Sequence, residues 1–165
     1  MIQSFNLEAQ GFGFILCSPF ATADISDGED FLESNFEQPS DVEKLAKECS
    51  IVGVSTGSPG NFLFEIYYGY PTDDTLEKFE FRLRLGVEVR GKLLEIRDLF
   101  DLMDWTKNCP KEQIIKLNDD GFYHITLLSK LPNSGLLGDK QKVLVFLHHL
   151  DSKPDVNVKG VPTLC

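Results

Sequence analysis

The chain has 165 residues, 42% hydrophobic and 25% charged, values that supply one ordinary core and argue against a disordered or disulfide-stapled class. Its net charge of −10 is uneven: residues 1–50 hold ten acids against two Lys, and nine of those acids lie between Asp24 and Glu48. Such a lobe reads first as a solvated, solubilising surface; as a functional one it repels nucleic acid and anionic membranes and speeds encounter with a basic protein, so neither nucleic acid nor membrane is an expected partner.

No basic region leads into an apolar run at the N-terminus, and no apolar stretch reaches spanning length, which predicts a soluble, cytoplasmic protein. Cys17, Cys49, Cys109 and Cys165 are far apart, without the spacing of a zinc or redox pair, and reduced thiols are expected. No cofactor or metal is expected.

Residues 2–8 and 11–17 read as two strands separated by Gln10-Gly11, the second apolar on both faces and therefore central. The acidic segment 24–38 has a turn at Asp27-Gly28 and apolar anchors at Phe31, Leu32 and Phe36, which imply that it packs. Ser40-Asp-Val-Glu43 has the spacing of a capping box, predicting a helix over 41–49 with Val42, Leu45, Ala46 and Cys49 inward. Residues 50–56 and 61–68 read as strands joined by Gly57-Ser-Pro-Gly60 into a hairpin, and Tyr67, Tyr68 and Tyr70 gather at one sheet end.

The clearest pattern is Phe79 to Arg90, where Phe79, Phe81, Leu83, Leu85, Val87 and Val89 alternate with charged residues. A pleated strand buries one row and wets the other. Arg90-Gly91 then turns the chain, and 92–96 is expected to run back beside it. In 97–105, helical spacing sets Asp98, Asp101 and Asp104 along one exposed stripe. Strands follow at 113–117, 122–129 and 142–150; the loop 131–139 exposes Leu136 and Leu137 by position, and the tail 154–165 is weakly patterned. These elements predict one mainly β domain over residues 1–165, an antiparallel β-sandwich of about eight strands with one or two short helices, with a barrel as the second architecture.

Several motifs carry chemistry elsewhere. Gly53-Val-Ser55-Thr-Gly57 matches the nucleophile elbow, with His148 or His149 as its base, but an elbow needs a helix after the serine and here a strand follows, so an ordinary turn is expected. Gly86 to Lys92 imitates a phosphate loop, with Leu93 where the magnesium-binding hydroxyl belongs. Asp24 to Asp30 is rich in oxygen ligands, yet its glycine falls one place early for an EF-hand. His124, His148 and His149 cannot all meet at a metal, because adjacent strand residues face opposite ways. Arg82, Arg84 and Arg90 on the wet face are expected to pair with carboxylates of a neighbouring strand. Gly121-Phe-Tyr123 has the form of a tyrosine corner, a structural hydrogen bond at a Greek-key crossover.

The order of opening strand pair, acidic link with a short helix, Gly-rich hairpin at 50–70, long alternating strand at 79–90 and turn-Gly-x-Tyr strand at 121–126 resembles the competence protein J family, which inhibits a DNA-entry nuclease. More broadly it resembles the β-rich immunity proteins of bacterial toxin systems. The resemblance covers residues 11–150, rests on arrangement and carries over no functional residue. It implies by analogy an inhibitor of a nuclease or toxin. The acidic lobe and the absence of a catalytic motif point the same way, to a non-catalytic protein that occludes a basic partner, and charge and loop position, not the resemblance, give Asp24, Asp27, Glu29, Asp30, Glu33, Glu37, Leu136 and Leu137 as the expected contact residues. The alternative is a small-ligand or carbohydrate-binding sandwich that stacks its ligand on Tyr67, Tyr68, Tyr70 and Trp105. A hydrolase using Ser55 is the third reading.

Overall fold

Two kinds of strand are written into the chain, and they sort into two sheets. In the computed structural model, which describes residues 1–165, the strands β1 (Gln3–Ala9), β4 (Gly60–Tyr68) and β5 (Phe81–Val89) alternate between buried and accessible positions. With β8 (Gly121–Ser129) and β9 (Gln141–Leu150) they form a five-stranded sheet in the order β1-β4-β9-β8-β5. The strands β2 (Gly13–Cys17), β3 (Ile51–Ser55) and β6 (Leu93–Asp98) are buried almost throughout, and with the short β7 (Ile114–Lys116) they form the order β3-β2-β6-β7. A strand apolar on both sides needs two covers. The five-stranded sheet supplies one through a shared core that includes Phe14, Leu16, Val54, Phe64, Val87 and Val145. The acidic segment and its helices supply the other.

This partition corrects both predicted hairpins. β3 and β4 do not pair; Thr56 to Pro59 carry the chain from one sheet to the other, and β4 pairs instead with β1 and, in parallel, with β9. The sandwich is therefore not purely antiparallel. Likewise β5 pairs with β8 and β6 with β2 and β7, so Arg90-Gly91 is a corner between sheets. Gly91 and Lys92 both take positive φ there, and Ser18 Oγ ties the corner by donating to Arg90 O at 3.0 Å and accepting from Arg90 N at 3.1 Å. Local turn chemistry is the same in a hairpin and in such a corner; only the tertiary demand for a second cover separates them.

There are nine strands and three short helices, α1 (Phe31–Asn35), α2 (Pro39–Lys47) and α3 (Asp73–Glu77). α2 starts earlier than predicted because its capping box is formed by Gln38 and Asp41, with Pro39 in the first turn. Glu43 is freed to pair with Lys47 at 2.8 Å and to accept from Gly160 N at 3.3 Å, and the Lys47 bond holds its carboxyl below the usual range. The tail is ordered rather than loose. Val158 and Leu164 join the core, Pro162 O accepts from Ser55 N, and Leu164 N donates to Ser55 O, both at 2.8 Å. Tyr123 makes its corner: the hydroxyl donates to Asp119 O at 2.7 Å. No helix is long and apolar enough to cross a membrane.

Candidate functional site

The outer face of the four-stranded sheet is built around a buried cation. Arg97 on β6 is 1% exposed; its Nη1 reaches Glu95 at 3.3 Å, its Nε donates to Asp101 at 2.9 Å, and its guanidinium lies over the Trp105 ring. Burial pushes the Glu95 carboxyl up against the pull of Arg97, and burial with the Glu95 charge pushes the neighbouring Cys109 thiol up to about 12. Trp105 in turn holds the acidic loop, because Gly28 N donates to Trp105 O at 2.8 Å and Trp105 N to Glu29 O at 3.1 Å. The lobe is thus hydrogen-bonded to the layer beneath it.

Its apolar anchors seat it further. Ile25, Phe36 and Val42 are buried against Ile15, Cys17 and Ile51, with Phe31 and Leu32 packed beside them. Of the expected contact residues, Asp24, Asp27, Asp30, Glu33 and Glu37 are exposed and Glu29 is half-buried. Asp27 accepts from Lys107 N, Glu29 from Ser26 N, and Asp30 caps α1 by accepting from Glu33 N, but none of the six lies within ion-pair distance of a cation. No Lys or Arg occurs between Asp24 and Glu43 to offer one. The result is a packed segment whose surface carboxylates have no ion-pair partner.

Beside it, between α1, β3 and the 3-10 turn Leu99–Met103, lies a cleft of about 270 Å³ lined by Phe12, Leu32, Phe36, Val42, Gly53, Val54, Ser55, Leu99 and Val161, with Glu37 as its charged member. Phe12 stands 57% exposed at its rim. Sequence reasoning missed this cleft because its walls come from six separate segments. An exposed Phe in the Gln10-Gly11-Phe12 turn was the available signal.

The remaining predicted residues go elsewhere. Leu136 is exposed and Leu137 half-buried; Leu137 O accepts from Ser58 Oγ at 3.3 Å, docking that loop on the Thr56 to Pro59 corner. The Asp98, Asp101 and Asp104 stripe does not exist. Asp98 is buried and accepts from Gln10 N, Gly11 N and Phe100 N, Asp101 is held by Arg97, and only Asp104 is free on the surface.

The four stacking aromatics do not meet. Trp105 is 2% exposed under Arg97, and Tyr67 lies stacked on Phe146 at 4.9 Å. Tyr70 has His148 on one side at 4.0 Å and the Arg84 guanidinium at 4.7 Å, while its hydroxyl shares a 2.7 Å hydrogen bond with His124 Nδ1. Tyr68 and Tyr70 stay 41% and 42% exposed, but neither stacks on the other or on Trp105. Arg84 Nε donates to Thr126 Oγ1 and Arg82 Nε to Phe79 O, so of the three wet-face arginines only Arg90 has a carboxylate, Glu88 on its own strand. Ser55 Oγ faces Phe12 O and Gly57 N rather than an imidazole, and β3 runs into a turn and then a strand. No group of three or more His, Cys, Asp or Glu side chains is arranged to hold a metal ion.

No family model and no curated protein matches the chain. Among solved structures, the fold is shared with ComJ from Bacillus subtilis, an inhibitor of the DNA degrading activity of NucA, at 10% identity and a TM-score of 0.51 over 90% of this chain and 96% of that one. It is also shared with the product of crocagin biosynthetic gene J, at 8% identity and a TM-score of 0.54 over 87% and 95%. At these identities the likeness concerns the arrangement of strands.

Proposed function

We propose that this protein is a non-catalytic inhibitor or immunity protein whose acidic face occludes a basic partner, most naturally a nuclease or toxin. One observation carries the reading. Asp24, Asp27, Glu29, Asp30, Glu33 and Glu37 stand without cationic partners on a segment anchored by Phe36, Ile25 and the Trp105 backbone. Six unneutralised carboxylates repel one another, a cost that a basic surface removes on binding. Fixed carboxylates also present negative charge where an enzyme's cationic groups would otherwise meet phosphates, without undergoing any reaction. The nuclease-inhibiting relative in fold supports the same reading.

The test is a DNA-degradation assay in which basic nucleases are titrated with the full chain at low and moderate salt. Inhibition is expected to weaken as salt shortens the screening length toward about 8–10 Å. It is expected to disappear when Asp27, Glu29, Asp30, Glu33 and Glu37 are replaced by Asn or Gln. Inhibition untouched by those replacements, or no salt-sensitive binding to any basic protein, overturns the reading.

A further inference from the structure

We propose that the cleft between α1, β3 and Leu99–Met103 receives one apolar side chain of the partner, carried on a segment flanked by Lys or Arg. The inference rests on the acidic-face reading and adds where on that face the binding energy concentrates. Interfaces draw most of their energy from a few apolar anchors in desolvated pockets, ringed by polar contacts that exclude water.

The cleft has that form. Its walls are hydrocarbon from Phe12, Leu32, Phe36, Val42, Leu99 and Val161, and its floor is β3, where Gly53 leaves room for the Phe36 ring. Phe12 and Val161 are exposed large apolar residues lining the opening, and exposed Phe100 stands against Gly11, one position from Phe12. A cluster of this kind on a charged protein marks a contact surface.

Charge selects the occupant. Glu37, just past the end of α1, lines the cleft, Glu33 lies within α1 and Asp30 caps it, and no Lys or Arg lines the opening. An apolar anchor with acidic flanks would meet these carboxylates with its own; one with basic flanks neutralises them as it enters. A second copy is disfavoured by the same argument, since a two-fold contact through this patch brings identical acidic rims together.

The experiment titrates the full chain with three synthetic peptides: a central Phe between lysines, a central Ala between lysines, and a central Phe between glutamates. The lysine-flanked Phe peptide is expected to bind roughly ten- to a hundredfold more tightly than its Ala counterpart, the gain expected from burying one Phe side chain. The glutamate-flanked peptide is expected not to bind. Val161→Trp, which fills the cleft from an exposed position, and Phe12→Ala, which strips its wall, should each bring the two lysine-flanked peptides close to equality while leaving their salt dependence.

Equal, salt-sensitive binding of the Phe and Ala peptides to the unmodified chain overturns the cleft proposal and leaves the acidic-face reading standing. Absence of binding by both at low salt overturns the two together. Tight binding of the glutamate-flanked peptide removes the basic flanks. A concentration-dependent dimer that Val161→Trp abolishes makes a second copy the occupant and overturns the partner assigned here.

Discussion

Arg97 lies 3.9 Å over the Trp105 ring while Trp105 holds the acidic loop through Gly28 and Glu29, so one buried guanidinium supports the residue to which that loop is bonded. Removing it alone leaves Glu95 buried without its counter-charge, a change that typically costs about 3–5 kcal/mol. Arg97→Met should therefore lower the urea midpoint strongly, and Arg97→Met with Glu95→Leu should recover much of the loss, because replacing both charges by apolar groups removes the desolvation cost as well as the pair. Trp105 is the sole tryptophan, so its emission should shift red in the single variant. Amide exchange at Gly28 and Trp105 should quicken there too. An unchanged midpoint would mean that the ion pair and the loop are independent.

The corner bond from Tyr123 to Asp119 is a smaller effect and a cleaner one. Tyr123→Phe keeps the buried ring and removes only the hydroxyl that donates to Asp119 O at 2.7 Å. The expected cost is about 1 kcal/mol, read as a lower midpoint at unchanged slope in urea unfolding. No loss would place the hydroxyl in equivalent contact with water.

The sandwich and its strands were legible because alternation such as Phe81 to Val89 and double burial such as Gly13 to Cys17 are local patterns that survive into the fold. Pairing was not legible. Gly57 to Gly60 and Arg90-Gly91 turn the chain in either topology, and what sends β3 and β6 to a separate sheet is the second apolar cover they find there. Of the six acidic residues five are exposed and Glu29 is half-buried, since a run without cations has no buried partner to draw it inward. Trp105 and Asp101 were misplaced because Arg97, charged yet buried, draws both inward, and composition gives no sign that an arginine is covered; Asp98 was misplaced because it accepts from the Gln10, Gly11 and Phe100 amides. Glu95 and Arg97 two apart on an otherwise apolar strand were the available clue, because strand period puts them on one face.

Gly53 tests the link between packing and site. A Cβ there would stand 2.6 Å from Phe36 Cζ, and its φ is not in the left-handed region, so Gly53→Ala acts through space alone. Phe36 has to move, and the helix α1 that precedes it moves with it. We expect a loss of about 1–3 kcal/mol, the usual range for overpacking, together with faster proteolysis between residues 30 and 37 and weaker binding of the lysine-flanked Phe peptide. Full stability with lost peptide binding would show that the methyl fills the cleft without disturbing the lobe.

Acid should weaken the fold through His124. Burial, then the Arg84 charge, then His148 hold its imidazole below the ordinary 6.5, while Tyr70 covers it from the loop side. A base whose folded pKa is depressed binds fewer protons folded than unfolded, so its contribution is present in full above about 6.5 and is lost as pH falls through that value toward the folded one. Unfolding measured from pH 8 to pH 5 should show a steeper decline for the unmodified chain than for His124→Gln. In an NMR titration, Arg84→Gln should raise the His124 midpoint by removing the second of the three causes. A midpoint at or above 6.5 in the unmodified chain, or identical pH slopes for the two proteins, would show that Tyr70 and its neighbours leave the imidazole as free to take a proton as it is in water.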